Sequence, residues 1–241
     1  MSTASKISIL AVILLAGGLF AMRPSPPSEP EAPLVAPAVM EIPAADLAVA
    51  TFAGGCFWSM EEPFEKLAGV ATVVSGYTGG KEEFPTYYEV AHGRTGHVEA
   101  VEVRYDPQQV SYDDLLEVFW RNIDPTDDGG QFADRGSSYR SAIFVHNEEQ
   151  REAAEASKLR LESSGRFRKP LVTRIIPATA FYPAEAEHQD FYRLQPAHHQ
   201  ACFVGSGRAR FLTRNWGDDA EFKPKRRTTP IVTPADSTGQ P

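Results

Sequence analysis

Thr51-Phe52-Ala53-Gly54-Gly55-Cys56-Phe57-Trp58 joins a short β-type run to two glycines, a cysteine and two large aromatics. The glycines let the backbone turn tightly at the end of a strand and leave the thiol uncrowded. A helix is expected next, so Cys56 sits where a strand gives way to a helix, and a helix N-terminus favours the thiolate. Phe57 and Trp58 can wall an apolar pocket beside the sulfur. A cysteine also packs well as a small buried hydrophobe, and on this segment alone both readings stand.

Working outward, the period of the apolar residues and the turn residues set a coarse order of elements. A strand over residues 47–53 leads into a helix over 59–67, stopped by Gly69. Pro63 lies inside that helix, so it is kinked or begins later than Cys56, which weakens a full helix-dipole argument for the thiol. A strand over 70–76 follows, and Gly79-Gly80 starts a loop. Another strand covers 97–105 and ends at Asp106-Pro107. Ser111-Tyr112-Asp113-Asp114 is a capping-box pattern, and the helix it opens carries Leu115/Phe119 and Leu116/Trp120 at i,i+4 spacing. After a long polar loop over 124–138 come a strand over 139–145, a helix capped by Asn147 that runs to Ser163, and a strand over 171–176. The order βαββαβ, with an extra helix and strand, is the split-βαβ pattern of a ferredoxin-like α+β fold, a two-layer α/β sandwich. Beyond Pro177 an irregular C-terminal segment is expected, apart from a helical turn over 184–194.

Two places in this frame invite chemistry. Loops as long as 124–138 without a pattern of their own are uncommon in compact domains and are often functional. The strand His97-Val98-Glu99-Ala100-Val101-Glu102-Val103-Arg104-Tyr105 is the second. Alternate side chains point to opposite faces, and Glu99 shares its face with Val101, Val103 and Tyr105. A carboxylate on the apolar face is disfavoured as an anion, so it holds its proton towards neutral pH. That is the profile of a general acid; pairing with a buried arginine is the alternative.

The 241 residues are 42% hydrophobic, enough for a real core, and the net charge of −8 with pI near 5.3 leaves no footprint for nucleic acid. Both ends differ from the middle. Residues 7–22 are apolar apart from Ser8, preceded by Lys6 and followed by Arg23. Residues 1–23 therefore read as a signal peptide or an N-terminal membrane anchor, and 24–45 as a Pro- and Ala-rich linker. An exported protein of the periplasm or cell envelope, tethered or released, is the expectation. One catalytic domain is expected over 46–213, with a polar, disordered tail over 214–241. Cys56 and Cys202 are the two cysteines; an exported pair suggests a structural disulfide, or a pair that cycles between dithiol and disulfide.

The motifs together resemble the A-class peptide methionine sulfoxide reductases, over residues 52–195. Gly55-Cys56-Phe57-Trp58 matches the family's nucleophile motif. Gly76-Tyr77-Thr78-Gly79-Gly80 and Pro85-Thr86-Tyr87 match the next block, with Phe84 where the family usually has Asn. Gly96-His97-Val98-Glu99-Ala100-Val101 matches the block of the family's acid. Asp124-Pro125-Thr126, Gln131, Asp134-Arg135-Gly136 and Tyr139-Arg140-Ser141 match the loop and following strand, and Glu187-His188-Gln189 a late acidic-His-Gln element. The resemblance implies reduction of methionine S-sulfoxide, protein-bound or free, as a repair reaction. Cys56 would attack the sulfoxide sulfur and Glu99 protonate its oxygen. Tyr87 and Tyr139 would hydrogen-bond that oxygen, Asp134 would assist, and Phe57 and Trp58 would wall the methyl pocket. It further implies no cofactor beyond an external, thioredoxin-like thiol reductant, and no metal; the protein is expected to be a monomer. Cys56 would be left as a sulfenic acid, which a second thiol can condense with. Cys202 is the candidate resolving thiol, although Pro196-Ala197-His198-His199-Gln200-Ala201-Cys202 departs from the family's glycine-containing pattern, which leaves a spectator role open.

Two rivals use the same residues. A cysteine hydrolase would need His92, His97 or His188 to activate Cys56. A metal-binding envelope protein would draw on His188, His198, His199 and the cysteines, which lack the close spacing of structural zinc sites.

Overall fold

Alternation along β1 (Ala48–Ala53) and β3 (Val98–Tyr105) sends Ala50, Phe52, Val101, Val103 and Tyr105 into one core and Ala53 and Ala100 into another. These two strands form the centre of the sheet in the computed structural model, which describes residues 46–224. The apolar run at 7–22, the linker to residue 45 and the tail from 225 onward lie outside the described residues.

Around this centre run β2 (Val70–Thr78), β6 (Ala142–Val145), β7 (Arg174–Pro177) and β8 (Tyr182–Pro183), in the order β7-β6-β1-β3-β2-β8. All neighbours are antiparallel except β6 and β7. The four strands β6-β1-β3-β2 have the order and directions of a ferredoxin-like sheet, as the α+β reading expected. A separate two-residue hairpin, β4 (Gly130–Gln131) with β5 (Asp134–Arg135), stands within the long loop.

The helices are α1 (Glu61–Glu65), α2 (Tyr87–Ala91), α3 (Tyr112–Arg121), α4 (Glu148–Ser163), α5 (Phe191–Leu194), α6 (Pro196–Gly205) and α7 (Arg208–Trp216). Helix α3 begins where expected: Ser111 and Asp114 exchange a reciprocal capping box. It buries Leu115, Leu116, Phe119 and Trp120. Phe52 of β1 stacks on Phe64 at 5.1 Å and on Phe119 at 5.2 Å, which locks sheet to helices. On the opposite face Ala100 and Phe144 meet Val98, Ile176 and Phe181.

Two expectations need correction. The C-terminal segment is helical, not irregular. Pro196 opens α6 at a position where a missing N–H is harmless. Gly207, at φ 89, turns the chain into α7, which buries Arg208, Leu212 and Trp216 one turn apart. Helix α6 has little amphipathic contrast, and α7 carries its apolar stripe on a short, strongly polar segment, so composition hides both helices. The domain also continues past 213. Trp216 is buried beneath the guanidinium groups of Arg121 and Arg166, at 4.5 and 4.1 Å, and Ala220 and Phe222 pack on the core.

Candidate active site

The turn that carries Cys56 is built by packing from several elements. Gly55 has φ 86, and a Cβ there would stand 2.6 Å from Gln131 Cβ, so glycine is required on both counts. Cys56 then caps a single 3-10 turn, Phe57–Ser59, while α1 starts only at Glu61. The dipole behind the thiol is therefore that of one short turn. Burial raises the Cys56 thiol well above its ordinary value, and the charges of Glu99 and Asp134 add to the rise; the Trp58 backbone and Arg208 act against it. The thiolate-favouring helix end expected from the sequence is overturned: burial and two carboxyl groups outweigh one turn of dipole.

Glu99 lies on β3 opposite Tyr77 and is 1% exposed. The Phe57 N–H donates to its Oε2 at 3.0 Å, so the acid reaches the backbone immediately after Cys56. Burial pushes Glu99 up to about 8; Asp134 adds to the rise and the Phe57 N–H opposes it. A carboxyl group so placed is protonated at neutral pH.

The loop over 124–138 is ordered by its own polar groups. Gln131 accepts from the Asp124 N–H at 2.7 Å and donates to the Asp124 carbonyl at 2.9 Å. Arg135 pairs with Asp127, and Arg140 Nε donates to the Asp128 carbonyl at 2.7 Å. This loop presents Asp134 on β5 and Tyr139 on a 3-10 turn, both half-buried. Burial raises Asp134, with Arg208 opposing, and raises Tyr139, with Glu99 adding to it.

Tyr87 begins α2, a helix absent from the sequence expectations. Thr86 and Glu89 form its capping box, and the Tyr87 N–H donates to Glu185 Oε1 at 2.9 Å. Glu185 Oε2 accepts from the Tyr77 hydroxyl at 2.7 Å, tying α2 to β2. Burial, with Glu99 and Cys56 nearby, pushes Tyr87 up to about 12. Both tyrosines thus keep their protons and can donate hydrogen bonds. Phe84, just before this helix, has φ 52 and is 80% exposed. The family's Asn suits a left-handed residue better than Phe does.

Phe57 is fully buried and Trp58 half-buried, and the wall they start is completed by residues the sequence reading did not assign to it. His188 stacks on Tyr87 at 4.2 Å and on Phe57 at 5.5 Å. Phe191 lies parallel to Trp58 at 3.9 Å, and His198 meets the Trp58 edge at 5.8 Å. Phe191 is aimed by Asp190, a left-handed residue at φ 51 whose N–H donates to buried Glu61 Oε1 at 3.2 Å. The late acidic-His-Gln element was a signal for His188; nothing in the sequence singled out Phe191. Gln189 holds the segment down with its side-chain amide, accepting from the Ser75 N–H and donating to the Ser75 carbonyl, both at 2.9 Å.

Cys56 and Cys202 are both free and half-buried. Cys202 lies on α6, which packs on the 3-10 turn after Cys56.

The rivals fare poorly. His97 accepts from the Gly80 N–H at 3.3 Å and donates to the Glu82 carbonyl at 2.8 Å, and His92 bonds the Tyr88 carbonyl at 2.7 Å. Neither imidazole is available to Cys56, and no hydrogen bond links His188 to it among the described residues. Among those residues, no group of three His, Cys, Asp or Glu side chains is gathered to hold a metal ion.

Comparison with known proteins agrees with the motifs. The family described as peptide methionine sulfoxide reductase matches residues 48–220. The chain is 59% identical over 169 residues to the peptide methionine sulfoxide reductase MsrA of Bacillus subtilis, covering 70% of this chain and 96% of that one. It is 58% identical over 167 residues to the MsrA of Listeria innocua, covering 69% and 94%. Among solved structures, methionine sulfoxide reductase A of Corynebacterium diphtheriae is 35% identical with TM-score 0.56, covering 63% of this chain and 76% of that one. Mxr1 of Saccharomyces cerevisiae in its reduced form is 29% identical with TM-score 0.59, covering 63% and 87%. The chain belongs to the A-class peptide methionine sulfoxide reductases, oxidoreductases that reduce methionine sulfoxide in proteins at the expense of a thiol.

Proposed function

We propose that Cys56 is the nucleophile and Glu99 the proton donor of this reduction. The observation that carries the assignment is the 3.0 Å bond from the Phe57 N–H to Glu99 Oε2, which sets a protonated acid beside the nucleophile turn. Sulfoxide oxygen leaves poorly unless protonated, so the chemistry needs such an acid. Cys56 attacks the sulfoxide sulfur, Glu99 protonates the oxygen, and Tyr87 and Tyr139 donate hydrogen bonds to it. The attack forms a bond from Cys56 Sγ to the substrate sulfur; as the protonated oxygen passes to Sγ, that bond and the S–O bond both break, so the methionine sulfur gains two electrons and Cys56 loses two. The oxygen ends on Cys56 as a sulfenic acid, and the thiol proton restores Glu99, so no net proton is consumed. Phe57, Trp58, Tyr87 and His188 enclose the thioether end of the substrate, and the S epimer is the one this family takes.

Cys202 then condenses with the sulfenic acid: an S–S bond forms and water leaves. The packing of α6 on the turn after Cys56 supports this role, and Gly205 and Gly207, both with open space around them, give the helix a flexible end. A thioredoxin-like dithiol reduces the resulting disulfide. The enzyme works outside the cytoplasm, tethered or released, on the strength of residues 7–22 and the Pro-rich stretch after them; full-length chain found only in the soluble cytoplasm on fractionation would refute that placement. The nucleophile is tested by Cys56→Ser, which abolishes single-turnover reduction of a methionine sulfoxide peptide. One equivalent of methionine from the serine variant would show that another group does the chemistry.

A further inference from the structure

Arg208 is a buried charge that the reaction as derived does not use. It opens α7 and is 1% exposed. Its Nη2 donates to the Gly54 carbonyl at 2.9 Å and its Nη1 to the Asn122 carbonyl. Met60 Sδ lies 3.6 Å from Nη1, and the Phe132 ring is centred 4.7 Å from Cζ. These partners are neutral: two carbonyls, a thioether and an aromatic face. Burying a guanidinium costs several kcal/mol unless an anion compensates it. Among the described residues Arg208 makes no ion pair with a carboxylate; Cys56 and Asp134 are the groups whose ionisation bears on it. It nevertheless stays cationic at neutral pH, since burial lowers it only to about 10.

The same side chain touches the nucleophile turn mechanically. A Cβ on Gly55 would lie 3.2 Å from Arg208 Nη2, and the Gly54 carbonyl is held by that nitrogen. Ionisable groups bear on Cys56 from every side: Glu99 from β3, Asp134 from β5, Tyr87 from α2, Tyr139 from its 3-10 turn and Arg208 from α7. The acids disfavour a thiolate; Arg208 favours one.

We propose that Arg208 is the positioning residue of the nucleophile, clamping the Gly54 carbonyl so that Cys56 is aimed, and standing as a fixed cation against the Gly54-Gly55 turn as the sulfur attacks. This rests on Cys56 being the nucleophile. The cation is built into the fold, so its orientation costs no reorganisation at the moment of reaction. It also gives the first residue of α7 a role in the chemistry, 154 residues from the turn it holds.

Arg208→Met and Arg208→Lys in the full chain test this, read by peptide-resolved alkylation with iodoacetamide from about pH 6 to 10 and by single-turnover reduction of a sulfoxide peptide. R208M slows Cys56 alkylation at a fixed pH near 8 by about tenfold, the effect of one unit of thiol acidity. Cys202 in the same digest keeps its parental rate. R208K keeps a cation but replaces the two-nitrogen fork that holds the Gly54 and Asn122 carbonyls by a single ammonium, so its alkylation profile stays parental while its single-turnover rate falls by about 10-fold to 10²-fold, the cost of a misplaced reacting group. A folded R208M with either parental alkylation or parental turnover overturns the proposal. If R208M does not give the parental near-UV circular dichroism, R208K decides alone: a shifted profile or an undiminished rate overturns it. Cys56→Ser, run in parallel, separates the two readings. Reduction by that variant would remove the nucleophile assignment, while the alkylation comparison would still report the charge of Arg208.

Discussion

Burial, more than any partner, sets the acidity of Glu99. The Phe57 N–H stabilises the anion, yet the loss of water wins and the group rises from an ordinary 4.5 to about 8. This has a consequence for stability as well as for catalysis. A folded-state value above the unfolded one means that the native protein binds the proton more tightly. The contribution is therefore fully present below about pH 4.5 and is lost as pH rises through about 8. Glu99→Gln should match the parent in urea melts at pH 4 and be more stable at pH 9, by up to a few kcal/mol. The same variant keeps a hydrogen-bonding group but no proton to give. Its single-turnover rate should drop by a factor on the order of 10²–10⁴. Rates near the parental value would remove Glu99 from the chemistry, and a parallel pH profile of stability would mean that the carboxyl group is not buried as an acid.

Elements bring these residues together with different degrees of rigidity. β3 is held by β1 as far as Val101 and by β2 along its length, where Glu99 pairs with Tyr77. The loop over 124–138 holds Asp134 and Tyr139 by turns, a two-residue hairpin and a Gln131 amide that bonds the backbone at both ends. Helix α6 is different: its N-cap has no side-chain hydrogen bond, and it ends at Gly205, near the left-handed Gly207. The proposed resolving step asks movement of α6, which carries Cys202, and none of β3, which is paired within the sheet. Cys202→Ser should reduce one sulfoxide per enzyme and then stall with a thioredoxin-type donor, while a small thiol such as dithiothreitol partly restores turnover. Non-reducing peptide maps of the parent after one turnover should show Cys56 joined to Cys202. Absence of that bridge, together with normal recycling by the serine variant, would leave Cys202 without a redox role.

For the whole molecule, the C-terminal helices close the core that the sheet begins. Trp216 packs edge-on to Phe167 at 6.4 Å and is contacted by the Arg121 and Arg166 guanidinium groups, and Ala220 and Phe222 add to the same cluster. A chain ended at residue 213 should be less stable than one ended at 224 by at least about 3 kcal/mol, the usual loss for a buried tryptophan. Equal thermal midpoints for the two chains would place the end of the domain where the sequence composition suggested. The sequence by itself determined the succession of the main strands and helices, because alternation and capping residues are local signals: Glu99 among core valines, Ser111 three residues before Asp114, two glycines before Cys56. It determined the family too, since the motifs are short and contiguous. Only the tertiary structure decided how acidic Cys56 is, which carries a lone short turn of dipole against burial and two carboxyl groups. The same holds for Phe191 against Trp58 and for Arg208 beneath Gly54. Those contacts join residues more than a hundred positions apart, and long-range Coulomb and desolvation effects depend on distances in space, which no local period in a chain encodes.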